Sequence, residues 1–186
     1  MRVVVVFIGG VSGVGKTTVA VECSHKFGNS CFLDADDFHS VQNKEKMKQG
    51  IPLNDSDRKP WLEQLVKVVG ERVVEYKRQE ATNDYVIFCA CSVLKLSYRQ
   101  YLRNSLCRSV DGCIFILLTA KTQVLLQRMQ TRPGHFMPST LLSSQLEALE
   151  QLTDEEKRLG DKSLDTSDQS VPQVVSCIVK QLKSQL

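Results

Sequence analysis

Long apolar runs are missing from this sequence. Stretches such as residues 3–8 fall far short of the roughly 20 residues a membrane-spanning helix needs. Residues 3–8 follow Arg2, but they have no A-x-A-like cleavage site and run straight into a glycine-rich segment. Cleavage there would destroy that segment, so the mature chain is expected to start at Met1. Paired cysteine motifs are also missing. The seven cysteines, Cys23, Cys31, Cys89, Cys91, Cys107, Cys113 and Cys177, are odd in number and none has C-x-x-C spacing. That excludes a dithiol redox motif and a zinc ribbon, and most of these thiols are expected to act as small buried hydrophobes. A reducing, cytoplasmic location is the simplest expectation. No block of like charge occurs either. Net charge is +3, and Lys44-Glu45-Lys46-Met47-Lys48 is mixed, a solvated helix face. Neither a nucleic-acid footprint nor a membrane partner is expected. Repeats and linkers are absent, so the 186 residues, 42% hydrophobic and 24% charged, read as one domain over 1–186.

What is present organises around Gly10-Val11-Ser12-Gly13-Val14-Gly15-Lys16-Thr17, which fits G-x-x-x-x-G-K-[ST]. Its glycines let the backbone curl until successive N–H groups point at phosphate oxygens. Lys16 can reach the β- and γ-phosphates of a nucleotide, and the Thr17 hydroxyl can ligate Mg²⁺. The flanks suit the motif. Residues 3–8 are β-branched and apolar, as in a buried parallel strand. Residues 18–27 place Val19, Ala20, Cys23 and Phe27 at helical spacing, so a helix N-terminus faces the phosphates. Residues 10–18, Thr18 included, form the candidate nucleotide site.

Strands are expected at 32–33, 85–90 and 113–118, with 162–165 as a candidate fifth. Helices are expected at 40–49, after Pro60 in a first turn, at 92–106, from 122, at 139–152 and from 171. Leu62, Leu65, Val66, Val69 and Val73 form the apolar stripe of the long helix, with Trp61 beside it as a core residue. The last helix has Ser170 as its cap, and Val174, Val175, Ile178, Val179 and Leu182 repeat every 3.6 residues. Alternating strands and helices imply a parallel sheet covered on both faces, with ligands at the carboxyl ends of the strands.

The third strand ends Cys89-Ala90-Cys91-Ser92 and the fourth Leu118-Thr119-Ala120, neither with an acid. That argues against motor, transporter and unfoldase ATPases, and the lack of N-K-x-D argues against a GTPase switch. A small-molecule kinase remains. The second strand ends in Asp34-Ala35-Asp36-Asp37. Asp34 is assigned to magnesium, and Asp36 to the acceptor hydroxyl as base or orienting group. Arg128 and Arg132, four apart beside Pro133-Gly134, are candidates to neutralise the transferring phosphoryl group from a mobile lid.

With these in place the chain resembles the gluconokinases. The resemblance is carried by residues 10–17, by Asp34-Ala35-Asp36-Asp37-Phe38-His39, and by Asn43 with Lys46-Met47 and Gly50-Ile51-Pro52-Leu53-Asn54-Asp55. It continues through Asp57-Arg58-Lys59-Pro60-Trp61-Leu62, Cys91-Ser92-Val93-Leu94-Lys95 with Tyr98-Arg99, and Gly134-His135-Phe136-Met137-Pro138. It implies a three-layer α/β/α fold like that of nucleotide monophosphate kinases, with a five-stranded parallel sheet and a helical lid near 128–150. The implied activity is ATP- and Mg²⁺-dependent phosphorylation of D-gluconate at the 6-hydroxyl, and a homodimer is expected on the same ground. For such an acceptor, Arg58 is the first candidate for the carboxylate, with Lys95 and Arg99 next. His39, Ser92 and His135 are candidates for the sugar hydroxyls, and His25 has no role. Where that family usually has Gln-Phe-x-x-Leu-Glu followed by Pro, this chain has Gln145-Leu146-Glu147-Ala148-Leu149-Glu150 and then a charged segment at 153–158. Two other readings stay open: a kinase of another small hydroxy acid, shikimate-like, and a nucleotide-binding regulator without turnover.

Overall fold

A computed structural model of the chain describes residues 1–79, 82–131 and 139–185. Its five strands are β1 (Val3–Gly9), β2 (Ser30–Asp34), β3 (Tyr85–Ala90), β4 (Gly112–Thr119) and β5 (Lys162–Asp165). All pairings are parallel, in the order β2-β3-β1-β4-β5. The helices are α1 (Lys16–Phe27), α2 (Val41–Lys48), α3 (Asp55–Arg78), α4 (Leu96–Leu106), α5 (Thr122–Thr131), α6 (Ser139–Ala148), α7 (Asp154–Arg158) and α8 (Val171–Gln185).

The central strand explains its own composition. Val3, Val5 and Phe7 face a core shared with α3 and α4, where Phe7 stacks on Phe115 at 5.0 Å. Val4, Val6 and Ile8 face the opposite core, shared with α1 and α8. With both faces covered, every position must be apolar, and each side chain contributes about 1.5–3 kcal/mol of burial. Cys23, Cys89, Cys91 and Cys113 are buried among these residues as expected, whereas Cys107 and Cys177 are exposed. Burial lifts the Cys23 and Cys113 thiols to about 12.

Several boundaries differ from the sequence reading, each for a local reason. α3 begins at Asp55, because Asn54 and Asp57 close a reciprocal capping box. Pro60 therefore lies in the second turn, not the first. α4 begins at Leu96, and residues 92–95 form a loop, because the Ser92 carbonyl accepts the Gly10 N–H at 3.0 Å. Val93 in that loop has φ 39°, a left-handed conformation that a β-branched residue adopts only under constraint. The 153–158 segment forms α7, opened by a Thr153–Glu156 capping box. β5 stands although Leu164 is its one large apolar residue. Asp161, just before it, is buried, accepts the Phe115 N–H at 2.9 Å and pairs with Arg103. No described helix is long and apolar enough to cross a membrane.

Candidate active site

β1 delivers the chain into the phosphate loop at the carboxyl edge of the sheet. Gly10 has φ 127°, and a Cβ there would stand 2.4 Å from the Leu118 carbonyl oxygen, so only glycine fits. Gly15, in the left-handed region, is the N-cap of α1 and turns the amides of the loop toward the cleft. Lys16 Nζ donates to the Val11 carbonyl at 3.1 Å across the loop. Ser12, Gly13, Gly15, Lys16 and Thr17 line a cleft of about 640 Å³ together with Asp34, Asp36, Arg128 and Thr166.

The acid pair divides its work visibly. Asp34 ends β2 opposite Ala90. One of its oxygens accepts the Thr17 hydroxyl at 3.0 Å, and the other accepts the Asp36 N–H at 3.1 Å, capping the 3-10 turn Ala35–Phe38. The capping carboxylate is thus Asp34. Asp36 and Asp37 are exposed and face the same cleft. Arg128, on α5, donates to the Thr166 hydroxyl at 2.9 Å and the Thr166 carbonyl at 2.7 Å. Thr166, Gln169, Val171 and Val174 extend the cleft beyond the phosphate loop. Gln169, Val171 and Val174 were not among the expected site residues; their one signal was their place just after the last strand.

A second cleft, of about 270 Å³, lies between the start of α3 and the 92–95 loop. Arg58, Lys95, Asp55, Leu53 and Gln145 line it. Lys95 binds both oxygens of Asp55, at 2.7 and 3.0 Å, and the Tyr98 hydroxyl donates to the same carboxylate. Those two hydrogen bonds hold the Asp55 carboxyl below the ordinary range. Arg58 donates to the Leu53 carbonyl at 2.5 Å and lies 5.8 Å over the Tyr98 ring. It does not pair with Asp57, which is taken by Lys46 at 2.7 Å and by the capping box. With Asp55 already on Lys95, the Arg58, Lys95 and Asp55 set keeps one net positive charge around the cleft, which suits an acceptor that carries a carboxylate.

Arg99 requires a correction. It does not reach this cleft: it is 1% exposed and bound on every side. Its guanidinium pairs with Glu156 at 2.6 and 3.2 Å and donates to the carbonyls of Val93, Leu94 and Gln151 at 3.1, 3.0 and 3.3 Å. Burial alone would raise the Glu156 carboxyl, but Arg99 and Thr153 outweigh it and hold it low. Arg99 therefore pins the 92–95 loop from behind, and Glu150 pins it from the other end by accepting the Leu96 N–H at 2.5 Å. The charged 153–158 segment supplies the buried acid.

His39 is also less free than its position in the sequence implies. It is 8% exposed and stacks on Trp61, with ring centroids 4.4 Å apart. Trp61 is in the core as expected, with its Nε1–H donated to Ala35 at 2.7 Å. His39 Nδ1 is buried and has no partner among the described residues. Burial, with Arg58 and Lys44 adding to it, lowers its pKa to about 4. The unfolded chain takes up a proton here below pH 6.5 and the folded chain does not, so stability is lost as pH falls from 6.5 toward 4. His39→Phe is expected to flatten the Tm-against-pH curve in that window, and an unchanged slope would show that His39 does not set it. Ser92 is half-buried and enters the site through its carbonyl on Gly10. Arg132 and His135 lie outside the described residues.

One contact joins the two clefts. Gln145, on α6, accepts the Ser12 N–H of the phosphate loop at 2.7 Å while it lines the second cleft.

A family model described as an AAA domain matches residues 6–139. A probable gluconokinase of Dictyostelium discoideum is 41% identical over 96% of this chain and 86% of its own length. A thermosensitive gluconokinase of Escherichia coli is 43% identical over 76% of this chain and 68% of its own. The crystal structure of a gluconokinase from Sinorhizobium meliloti superposes with a TM-score of 0.75 at 34% identity, covering 99% of this chain and 92% of that one. A phosphate-binding loop, a strand-end acid pair and a cation-lined neighbouring cleft accompany these likenesses, and the chain belongs to the AAA-domain family of that model and, among P-loop proteins, to the gluconokinases.

Proposed function

We propose that this protein transfers the γ-phosphoryl group of ATP to the 6-hydroxyl of D-gluconate, giving ADP and 6-phospho-D-gluconate. The observation that carries the reading is the pair of adjoining clefts, one built for phosphates and one lined by Arg58 and Lys95. An acid pair stands at the edge of the phosphate cleft.

The Gly10 and Ser12 amides are taken by Ser92 and Gln145, and other amides of the 10–18 loop hold the triphosphate together with the Lys16 ammonium. The apolar wall of Val171 and Val174 takes the base. The Thr17 hydroxyl and Asp34, 3.0 Å apart, are hard oxygen donors placed together beside the loop, a set that fits magnesium. Magnesium bound there would offset charge on the β- and γ-phosphates. Asp36 accepts the proton of the attacking hydroxyl or orients it. Arg128, with Arg132 beyond the described residues, contributes positive charge to the transferring group from a lid spanning 128–150. At the far end of the acceptor, Arg58 and Lys95 receive the carboxylate, and Ser92 and His135 are candidates for its hydroxyls. His39 is a further candidate for the hydroxyls, stacked on Trp61 with its Nδ1 unpartnered among the described residues.

The test is ADP release with Mg-ATP against gluconate, shikimate, glucose, ribose, gluconolactone and nucleoside monophosphates. Gluconate is expected to exceed glucose by about 10²-fold in kcat/KM. Glucose lacks the carboxylate, and a charge-assisted pair is worth roughly 1.5–3 kcal/mol. Comparable turnover of glucose would overturn the assignment of Arg58 and Lys95 to a carboxylate, and comparable turnover of shikimate would overturn gluconate as the acceptor.

A further inference from the structure

We infer that Gln145 is an acceptor-binding residue, anchored to the phosphate loop through one end of its amide and donating to an acceptor hydroxyl through the other. The inference rests on the gluconokinase reading above.

Chemistry fixes the orientation of the amide. The Ser12 backbone N–H can only donate, so the atom 2.7 Å from it is the side-chain oxygen of Gln145. The other end is then Nε2, with two N–H donors. Among the described residues it has no acceptor, although Gln145 is half-buried and lines the second cleft beside Arg58, Asp55 and Lys95. A half-buried amide with its oxygen satisfied and its nitrogen still able to donate, on a residue that lines the cleft, is suited to a polyol. Its position is set by α6. Leu141 and Leu142 are buried, and Leu146 packs against the core on the α1 and α8 side. Ser144, Gln145 and Ala148 are left on the cleft wall.

The anchor gives the contact its use. Ser12 belongs to the loop that holds the triphosphate, and Gln145 is tied to it directly. A hydroxyl bound by Nε2 is therefore registered against the phosphate loop itself and not only against the remote cations. Loss of such a contact degrades alignment in the transition state, which appears in kcat/KM for the acceptor and not in nucleotide affinity.

The test is a substrate-variant cycle. Wild type and Gln145→Ala are assayed with gluconate and with its 2-, 3-, 4- and 5-deoxy analogues, and the KM for Mg-ATP is measured for both proteins. Gln145→Ala is expected to lower kcat/KM for gluconate by about 10- to 100-fold. The variant also releases the Ser12 N–H, which can turn to a phosphate oxygen or to water, so the KM for Mg-ATP is expected to stay within about threefold. For one deoxy analogue the two proteins should be equal, because that analogue lacks the hydroxyl Nε2 serves. An equal penalty with every analogue, or a penalty carried by Mg-ATP, would leave Gln145 as a loop anchor and overturn the inference. Wild type that turns over none of these acids would instead overturn the gluconokinase reading.

Discussion

Asp36→Asn is expected to lower kcat by about 10²–10⁴-fold, the usual contribution of a positioned general base. Binding of Mg-ATP should change by less than about threefold, because the group acts on the acceptor and not on the nucleotide. The effect follows from the different surroundings of the two acids. Asp34 has one oxygen on the Thr17 hydroxyl and the other on the Asp36 N–H, so its carboxylate is committed to the phosphate loop and to capping. Asp36 follows on the 3-10 turn, exposed, with its side chain facing the cleft that holds Lys16 and Arg128. It is the acid placed to meet a hydroxyl arriving from the neighbouring cleft. Asparagine keeps the size and the hydrogen-bonding reach but cannot accept a proton. Turnover by ADP release and nucleotide affinity by titration calorimetry separate the outcomes. Near-normal turnover in Asp36→Asn would remove Asp36 from the chemistry, and lost nucleotide binding would move it to the phosphate site.

Arg99→Met is expected to cost about 3–5 kcal/mol of folding stability, the usual consequence of leaving a buried charge without its partner. Glu156 is 5% exposed and would keep its carboxylate buried beside Thr153 with Arg99 gone. For a chain of this size each kcal/mol lowers Tm by roughly 2–4 °C, so a fall of about 6–20 °C is expected by calorimetry. Adding Glu156→Leu should recover much of that loss, because an apolar pair carries no uncompensated charge. A kinetic signature separates positioning from mere stability. The loop that Arg99 pins carries Lys95 at one end and the Ser92 carbonyl on Gly10 at the other. At temperatures where Arg99→Met is folded, KM for gluconate should rise more than KM for Mg-ATP. A stability loss under 1 kcal/mol, or equal rises in both constants, would contradict this account.

Much of this molecule is written in short-range pattern, and that part was legible. Residues 3–8 and 85–90 are apolar throughout because both faces of a parallel sheet are covered, a requirement each strand meets on its own. The phosphate loop is legible because eight consecutive residues meet all its steric and hydrogen-bonding demands, including a glycine at position 10 where a Cβ would strike Leu118. The caps of α3 and α7 were also within reach: Asn54 with Asp57 and Thr153 with Glu156 have capping-box spacing.

Tertiary structure decided what the long-range partners do. Arg99 and Lys95 stand four apart on one short stretch and look equally suited to a carboxylate. One lines the second cleft, while the other is sealed in the core by an acid 57 residues further along the chain. His39 reads as a polar loop residue, yet its ring lies flat against Trp61 because the 3-10 turn folds back onto α3. Gln145 is one polar position among several on α6, and its value comes from Ser12, 133 residues away in sequence. In each case the side chain's character is local, but its partner is chosen by the packing of sheet and helices. Local sequence determined the fold and the phosphate loop of this protein, and three-dimensional packing decided which of its arginines and amides face the second cleft and that His39 is buried against Trp61.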